Sequence, residues 1–143
     1  FAGIGSFALP MARAGARVTA VERNPAAFGY LTENAVLNGV TQSLDAVLGD
    51  CRDVSVSPVE RVVMGHYDAL SYLPTAFDAL GDAGTLHVHA TVPEARFPER
   101  PRSRVADAAA EHGYAVVEAT VREVKSYSEG VVPAVVDARV ERR

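Results

Sequence analysis

The chain has 143 residues, 48% hydrophobic and 22% charged, enough for one domain (1–143) with a sizeable core and too short for two. Its formal net charge of −4 gives no overall basic attraction to nucleic acid. No apolar run approaches the ~20 residues that span a bilayer, no signal peptide is visible, and the single Cys51 excludes an internal disulfide and suits a reducing cytoplasm.

The chain opens inside a glycine turn, Phe1 to Ser6 (FAGIGS). Phe7 to Ala14 reads as a short helix closed by Gly15, and Arg17 to Glu22 as a β-branched strand ending in an acid. Pro25 to Asn38 follows as a helix, with Asn24 as N-cap, Pro25 at its first position and Gly39 beyond its end. Ala46 to Leu48 is a short strand running into Gly49-Asp50, and Arg61 to Met64 a buried-looking one. Ser71 to Leu80 has helical periodicity that Gly81 to Gly84 breaks, and Thr85 to Val92 alternates like a strand. Pro98 to Pro101 marks a loop, and Ser103 to His112 a helix ended by Gly113. Tyr114 to Val124 and Val131 to Val140 read as strands, joined through Ser126 to Gly130 in an antiparallel hairpin at one sheet edge.

Strands alternating with helices predict an α/β fold, a doubly wound, mostly parallel Rossmann-like sheet closed by that hairpin. Such sheets bind ligands beyond the carboxyl ends of their strands. A glycine turn of this kind follows a strand, so the first strand is expected upstream of Phe1. It would be central, flanked by the strands ending at Glu22 and Met64, and the isolated chain is expected to be marginal or aggregation-prone without it.

Four strand-end segments carry the chemistry. In Phe1-Ala2-Gly3-Ile4-Gly5 the glycines let backbone approach a nucleotide closely. Glu22 ends the next strand 17 positions after Gly5, near the spacing at which a carboxylate accepts hydrogen bonds from two ribose hydroxyls. It could equally be a solvated strand end, or pair with Arg23. Asp50 could accept from an adenine amino group while the Cys51 N–H meets a ring nitrogen; alternatively Asp50 caps a turn or pairs with Arg52. Met64-Gly65-His66-Tyr67 ends the next strand, where Tyr67 could stack on a base and His66 position a proton or phosphate.

His87 and His89 share one strand face with no third metal ligand at a persuasive spacing, so buried, hydrogen-bonded histidines, or one histidine near the site, are expected and no metal. Arg96, Arg100, Arg102 and Arg104 form a basic stretch that either tracks phosphates or is a solvated loop. No Ser/His/Asp order, Walker loop or C-x-x-C pair is present, which argues against hydrolase, nucleotidase and zinc-module readings.

The runs FAGIGSFALPMARAG and AVERNPAAFGYLTENAVLNGV, with HVHATVPE at 87–94 and KSYSEGVVPAVVDARV at 125–140, resemble the cofactor half of a family of archaeal and eukaryotic enzymes that modify guanosine 37 of tRNA. The resemblance implies S-adenosyl-L-methionine as cofactor, held by Phe1, Ala2, Gly3, Gly5, Glu22, Arg23, Asp50 and Cys51, with Glu22 on the ribose and Asp50-Cys51 flanking the adenine. It also implies tRNA as partner at the anticodon loop, a cytoplasmic site of action, and a tRNA-binding domain upstream.

Two branches share this domain. One methylates N1 of the guanine and carries Asn-Leu-Pro in the loop after the fourth strand of the family's sheet. The other, in wybutosine synthesis, transfers the 3-amino-3-carboxypropyl group and reads Met-Gly-Tyr there. Met64-Gly65-His66-Tyr67 resembles the second, with His66 inserted before the tyrosine, and these four residues are the expected catalytic loop. Aminocarboxypropyl transfer to a tricyclic guanosine is therefore the expected function. N1-methylation of guanosine 37 and a non-catalytic nucleoside- or tRNA-binding domain remain as alternatives.

Overall fold

The computed structural model describes residues 1–124 and 129–143. Lys125 and the first part of the expected Ser126–Gly130 connection fall outside the described residues. By contact density the chain divides into two units, Phe1–Val56 and Ser57–Arg143.

In the first unit, helix α1 (Ala8–Arg13), strand β1 (Val18–Glu22), helix α2 (Pro25–Leu37), strand β2 (Leu44–Leu48) and a 3₁₀ turn (Cys51–Asp53) follow in order. β1 and β2 pair in parallel from Val18↔Leu44 to Glu22↔Leu48, so both strands end on one edge. α2 starts where its cap chemistry requires. The Asn24 side chain accepts the Ala26 and Ala27 N–H groups, and Pro25 occupies the first turn, where no N–H is needed. The core is built of small residues (Ala8, Ala12, Ala20, Ala35) around Leu31, Val40 and Leu44. Leu31 is fully buried, worth roughly 1.5–3 kcal/mol relative to exposure.

The second unit holds β3 (Val59–Met64), a 3₁₀ turn (Ala69–Tyr72), α3 (Leu73–Ala79), β4 (Leu80–Pro93), a 3₁₀ turn (Glu94–Arg96), α4 (Glu99–Glu111), β5 (Tyr114–Glu123) and β6 (Val131–Arg142). Its sheet order is β3-β4-β6-β5. β3 and β4 are parallel, and β6 is antiparallel to both β4 and β5. The expected C-terminal antiparallel pair is thus present, with β5 at the sheet edge. Phe77 lies against His112 and Tyr114, and the buried Tyr114 hydroxyl donates to the Gly81 carbonyl at 2.9 Å, so this aromatic cluster buries no unpaired polar group.

Two elements differ from expectation. Gly81 to Gly84 follow the end of α3 at Ala79, so the helix stops where expected, but they belong to β4, a strand of 14 residues that starts at Leu80 rather than at Thr85. A Cβ at Gly84 would meet the Leu80 side chain at 2.6 Å and the Glu60 carbonyl oxygen at 2.8 Å. Glycine here lets β4 lie close on β3 beside a register shift at Val59/Arg61, a role that reads in sequence like a turn. Pro98 to Pro101 likewise do not form a loop throughout, because α4 begins at Glu99. Pro101 falls in the first helical turn, where its missing N–H has no intrahelical acceptor to lose.

No helix is long and apolar enough to cross a membrane.

Candidate functional site

In residues 1–56 the carboxyl ends of β1 and β2 gather the segments singled out in the sequence. The Phe1 and Ala2 nitrogens donate to the Val21 carbonyl, at 2.8 Å and 3.0 Å, so the opening segment lies beside β1. It then turns at Gly3 (φ +57°) and Gly5 (φ +103°), conformations that favour glycine. Asn34 of α2 donates to the Ile4 carbonyl at 3.0 Å and ties the turn down. A Cβ at Gly5 would strike Leu9 and Leu31, whereas the space at Gly3 is open. Gly5 therefore serves packing, and Gly3 leaves room for a ligand.

Glu22 holds this edge together. Its Oε2 accepts the Gly3 N–H and its Oε1 the Asn24 N–H, each at 2.7 Å, and its carbonyl accepts from Gly49 at 3.0 Å. Burial works to raise the carboxyl pKa, but the N–H bonds from Asn24 and Gly3 outweigh it and the net shift is downward. Glu22 is thus an anion at neutral pH. A carboxylate has about four acceptor positions; the backbone takes two and leaves two, the number a ribose diol needs.

Asp50 caps the Cys51–Asp53 turn and pairs with Arg52. Its Oδ1 accepts the Arg52 N–H at 3.0 Å and Nε at 2.9 Å, and its Oδ2 accepts Nη2 at 2.7 Å. Both local alternatives weighed for Asp50 are therefore realised, and about one acceptor position remains. Arg23 stands 3.9 Å from Asp50, and no ion pair joins it to Glu22 among the described residues. The bonds from Arg52, side chain first and then backbone, hold Asp50 far below the usual carboxylate range. The Cys51 N–H has no acceptor on another described residue. Burial pushes the Cys51 thiol up, so Cys51 offers its backbone rather than a thiolate. Two acceptors at Glu22, one at Asp50, a donor at Cys51 and open space at Gly3 fit a nucleoside.

In residues 57–143, β3 delivers Met64-Gly65-His66-Tyr67. Met64 is only 3% exposed, so its side chain belongs to the core and its backbone alone reaches the loop. The His66 Nδ1 accepts the Asp68 N–H at 3.2 Å, and the Thr91 N–H donates to the Tyr67 carbonyl at 2.8 Å. The first bond is internal to the loop, and the second fastens it to β4. Tyr67 is 70% exposed, and its ring lies 4.3 Å from that of the half-buried His66.

A polar relay that the sequence did not reveal crosses all four strands of this sheet. Arg61 Nη1 meets His87 Nε2 at 2.9 Å, His87 Nδ1 meets Asp137 Oδ1 at 2.6 Å, and Arg122 Nε donates to Asp137 Oδ2 at 3.0 Å. His87 and Asp137 are cross-strand partners. With Arg61 donating to Nε2, the neutral ring carries its proton on Nδ1. Burial first, and the Arg122 charge second, lower the His89 pKa and keep that ring neutral. His87 is thus a hydrogen-bonded residue of the sheet face. Among the described residues no group of three His, Cys, Asp or Glu is gathered that could hold a metal ion.

Parallel strands whose carboxyl ends carry a glycine turn and two acids, followed by an antiparallel C-terminal pair, define a Rossmann-like methyltransferase fold. The family model of the TRM5/TYW2 methyltransferase domain matches residues 1–117, and the chain belongs to that family. It is 40% identical over 146 aligned positions to the tRNA(Phe) (4-demethylwyosine(37)-C(7)) aminocarboxypropyltransferase of Methanocaldococcus jannaschii, covering 99% of this chain and 58% of that protein. The crystal structure of M. jannaschii TYW2 in complex with AdoMet superposes with a TM-score of 0.94 at 40% identity, covering 100% of this chain and 67% of that one. The tRNA (guanine(37)-N(1))-methyltransferase Trm5b of Pyrococcus abyssi is 30% identical, over 98% of this chain and 42% of that protein. The chain spans little more than half the length of the aminocarboxypropyltransferases it matches.

Proposed function

We propose that this chain is the S-adenosylmethionine-binding catalytic domain of a tRNA aminocarboxypropyltransferase acting on the tricyclic guanosine at position 37. The observation that carries the reading is the Glu22 carboxylate, ionised, fixed by the Gly3 and Asn24 N–H groups and left with two acceptor positions. The family match runs through residues 1–117, which supports treating residues 1–143 as one working domain. Similarity to relatives named for this activity, together with the Met64-Gly65 loop, favours aminocarboxypropyl over methyl transfer.

In this reading Glu22 accepts both ribose hydroxyls, Asp50 accepts from the adenine amino group, and the Cys51 N–H donates to a ring nitrogen. Phe1, Ala2, Gly3 and Gly5 supply the close backbone wall, and Arg23 adds positive charge beside Asp50. Tyr67 offers its exposed face to the substrate base, with the His66 ring supporting it from behind, and the Met64-Gly65 backbone fixes where that face stands. When bound, the cofactor supplies a sulfonium: the guanosine ring carbon bonds to the terminal methylene of the methionine arm, the methylene–sulfur bond breaks with its electron pair to sulfur, methylthioadenosine leaves and the ring C–H proton passes to solvent. The protein's part is chiefly positioning; the positive charge that leaves sulfur passes to the substrate ring and departs with the proton. We place the reaction in the cytoplasm, and any dedicated tRNA-binding domain upstream of Phe1, as the family resemblance implies.

The test is transfer of label by the full-length protein. Carboxyl-labelled S-adenosylmethionine should mark precursor tRNA, and methyl-labelled cofactor should not. The 30% identity to Trm5b supports N1-methylation as the second reading, which the opposite labelling pattern on unmodified tRNA would establish.

A further inference from the structure

The segment after β4 carries four arginines in nine residues, Arg96, Arg100, Arg102 and Arg104, in a chain whose net charge is negative. All four are exposed, and none makes an ion pair or hydrogen bond through its side chain among the described residues. By contrast Arg23, Arg52, Arg122, Arg139 and Arg142 each stand beside a carboxylate. Glu94, Glu99 and Asp107 are close in sequence, yet none pairs with the four.

Their placement in the helix runs against local electrostatics. Arg100 and Arg102 sit in the first turn of α4, where the helix dipole favours acids. Arg100 and Arg104 are like charges four residues apart on one helix, a repulsive spacing. No side chain caps α4, whose N-cap is Pro98, so the first-turn amides of Glu99 and Arg100 are left for an outside acceptor. An incoming phosphate reverses the sign of every one of these terms: it neutralises the arginines, complements the dipole and accepts from the free amides.

The fold puts this cluster on a particular edge. β4 and β5 both run antiparallel to β6 and so parallel to each other. The helix between them therefore starts at the end where β4 stops, the same end at which β3 presents Met64-Gly65-His66-Tyr67. Tyr67 bonds to Thr91, and Arg96 follows five residues later, within about 18 Å of chain.

We propose that Arg96, Arg100, Arg102 and Arg104, with the amino end of α4, form a surface that grips the phosphate backbone of the tRNA flanking the nucleotide presented to Tyr67. The proposal rests on the tRNA reading above. Arginine suits the task, because its planar fork meets phosphate oxygens two at a time, and such contacts set register without reading sequence.

The test compares the full-length protein with its Arg100→Gln/Arg102→Gln/Arg104→Gln variant in binding a tRNA(Phe) transcript across a salt series. An Arg13→Gln/Arg17→Gln variant, which removes exposed charge from the first unit, is the control. The triple variant should bind roughly tenfold or more weakly at low salt, with a shallower dependence of log Kd on log salt by about two. Its melting temperature and S-adenosylmethionine affinity should match the parent, which separates a lost surface from a misfolded one. A triple variant with the parent's Kd and salt slope overturns the proposal, as does a control that loses as much. If the parent itself does not bind the tRNA, the tRNA reading falls and this surface with it.

Discussion

Glu22 and Gly3 are joined by a 2.7 Å hydrogen bond from the Gly3 amide to the Glu22 carboxylate, across 19 positions of sequence. The bond couples the shape of the glycine turn to the charge state of the acid. Replacing Glu22 with Ala should weaken S-adenosylmethionine binding by about 1–3 kcal/mol, the worth of charge-assisted hydrogen bonds, as measured by calorimetry. An unchanged dissociation constant would remove Glu22 from the ribose role.

The pH dependence follows from the depressed Glu22 pKa. A carboxyl lowered in the folded state contributes stability that is fully present above its unfolded pKa. That contribution is lost as pH falls through the lower folded value. The stability advantage of the parent over Glu22→Gln should therefore be flat from neutral pH down to the ordinary carboxylate range and disappear below it. Denaturant titrations across that acid window would show an advantage growing with acidity if the assignment were wrong.

The two glycines of the turn should separate in their responses. Gly5→Ala forces a Cβ to 2.8 Å from Leu9 and 3.1 Å from Leu31 at φ +103°, and should cost about 2–4 kcal/mol in overpacking and backbone strain. Gly3→Ala meets nothing within 4 Å at φ +57° and should cost only about 1–2 kcal/mol of stability, yet it should impair cofactor binding by narrowing the wall. Equal destabilisation of the two in urea would contradict this division of roles.

Asp137 should matter for stability rather than chemistry. It receives His87 and Arg122; burial pushes its pKa up, those two bonds pull it further down, and the net shift is downward. Asp137→Asn should destabilise by about 1–3 kcal/mol at neutral pH, with the difference from the parent shrinking as pH falls below the carboxylate range. Loss of turnover at unchanged stability would instead place the relay in the reaction.

Tyr67 is the opposite case. Tyr67 is 70% exposed, and Tyr67→Ala should leave the melting temperature within about 2 °C of the parent, since surface changes are typically within ±0.5 kcal/mol. It should reduce kcat/KM for tRNA by about 1–3 kcal/mol of base stacking, and Tyr67→Phe should restore it. A Phe variant as impaired as the Ala variant would show that the hydroxyl, not the ring face, is what the substrate meets.

Sequence alone disclosed most of this framework, for reasons visible in particular residues. Asn24-Pro25 announced the start of α2 because capping is local, and Glu22 stood out because a strand end lies at a fixed distance from the glycine turn. What stayed hidden depended on partners far along the chain. Gly84 looks like a breaker until Glu60 is seen pressed against it, and Pro101 like a loop until the helix start is located. Asp137 lies 50 positions from His87, and only the β4–β6 register brings them together. At Asp50 the sequence left capping and pairing open, and the Arg52 geometry shows that both occur.

The central claim is that the group leaving this site's cofactor is the aminocarboxypropyl arm. Chromatographic identification of the nucleoside coproduct, after full-length protein has been incubated with S-adenosylmethionine and precursor tRNA, tests it most directly. Methylthioadenosine accumulating in step with tRNA modification is the predicted result; S-adenosylhomocysteine in its place would contradict the account.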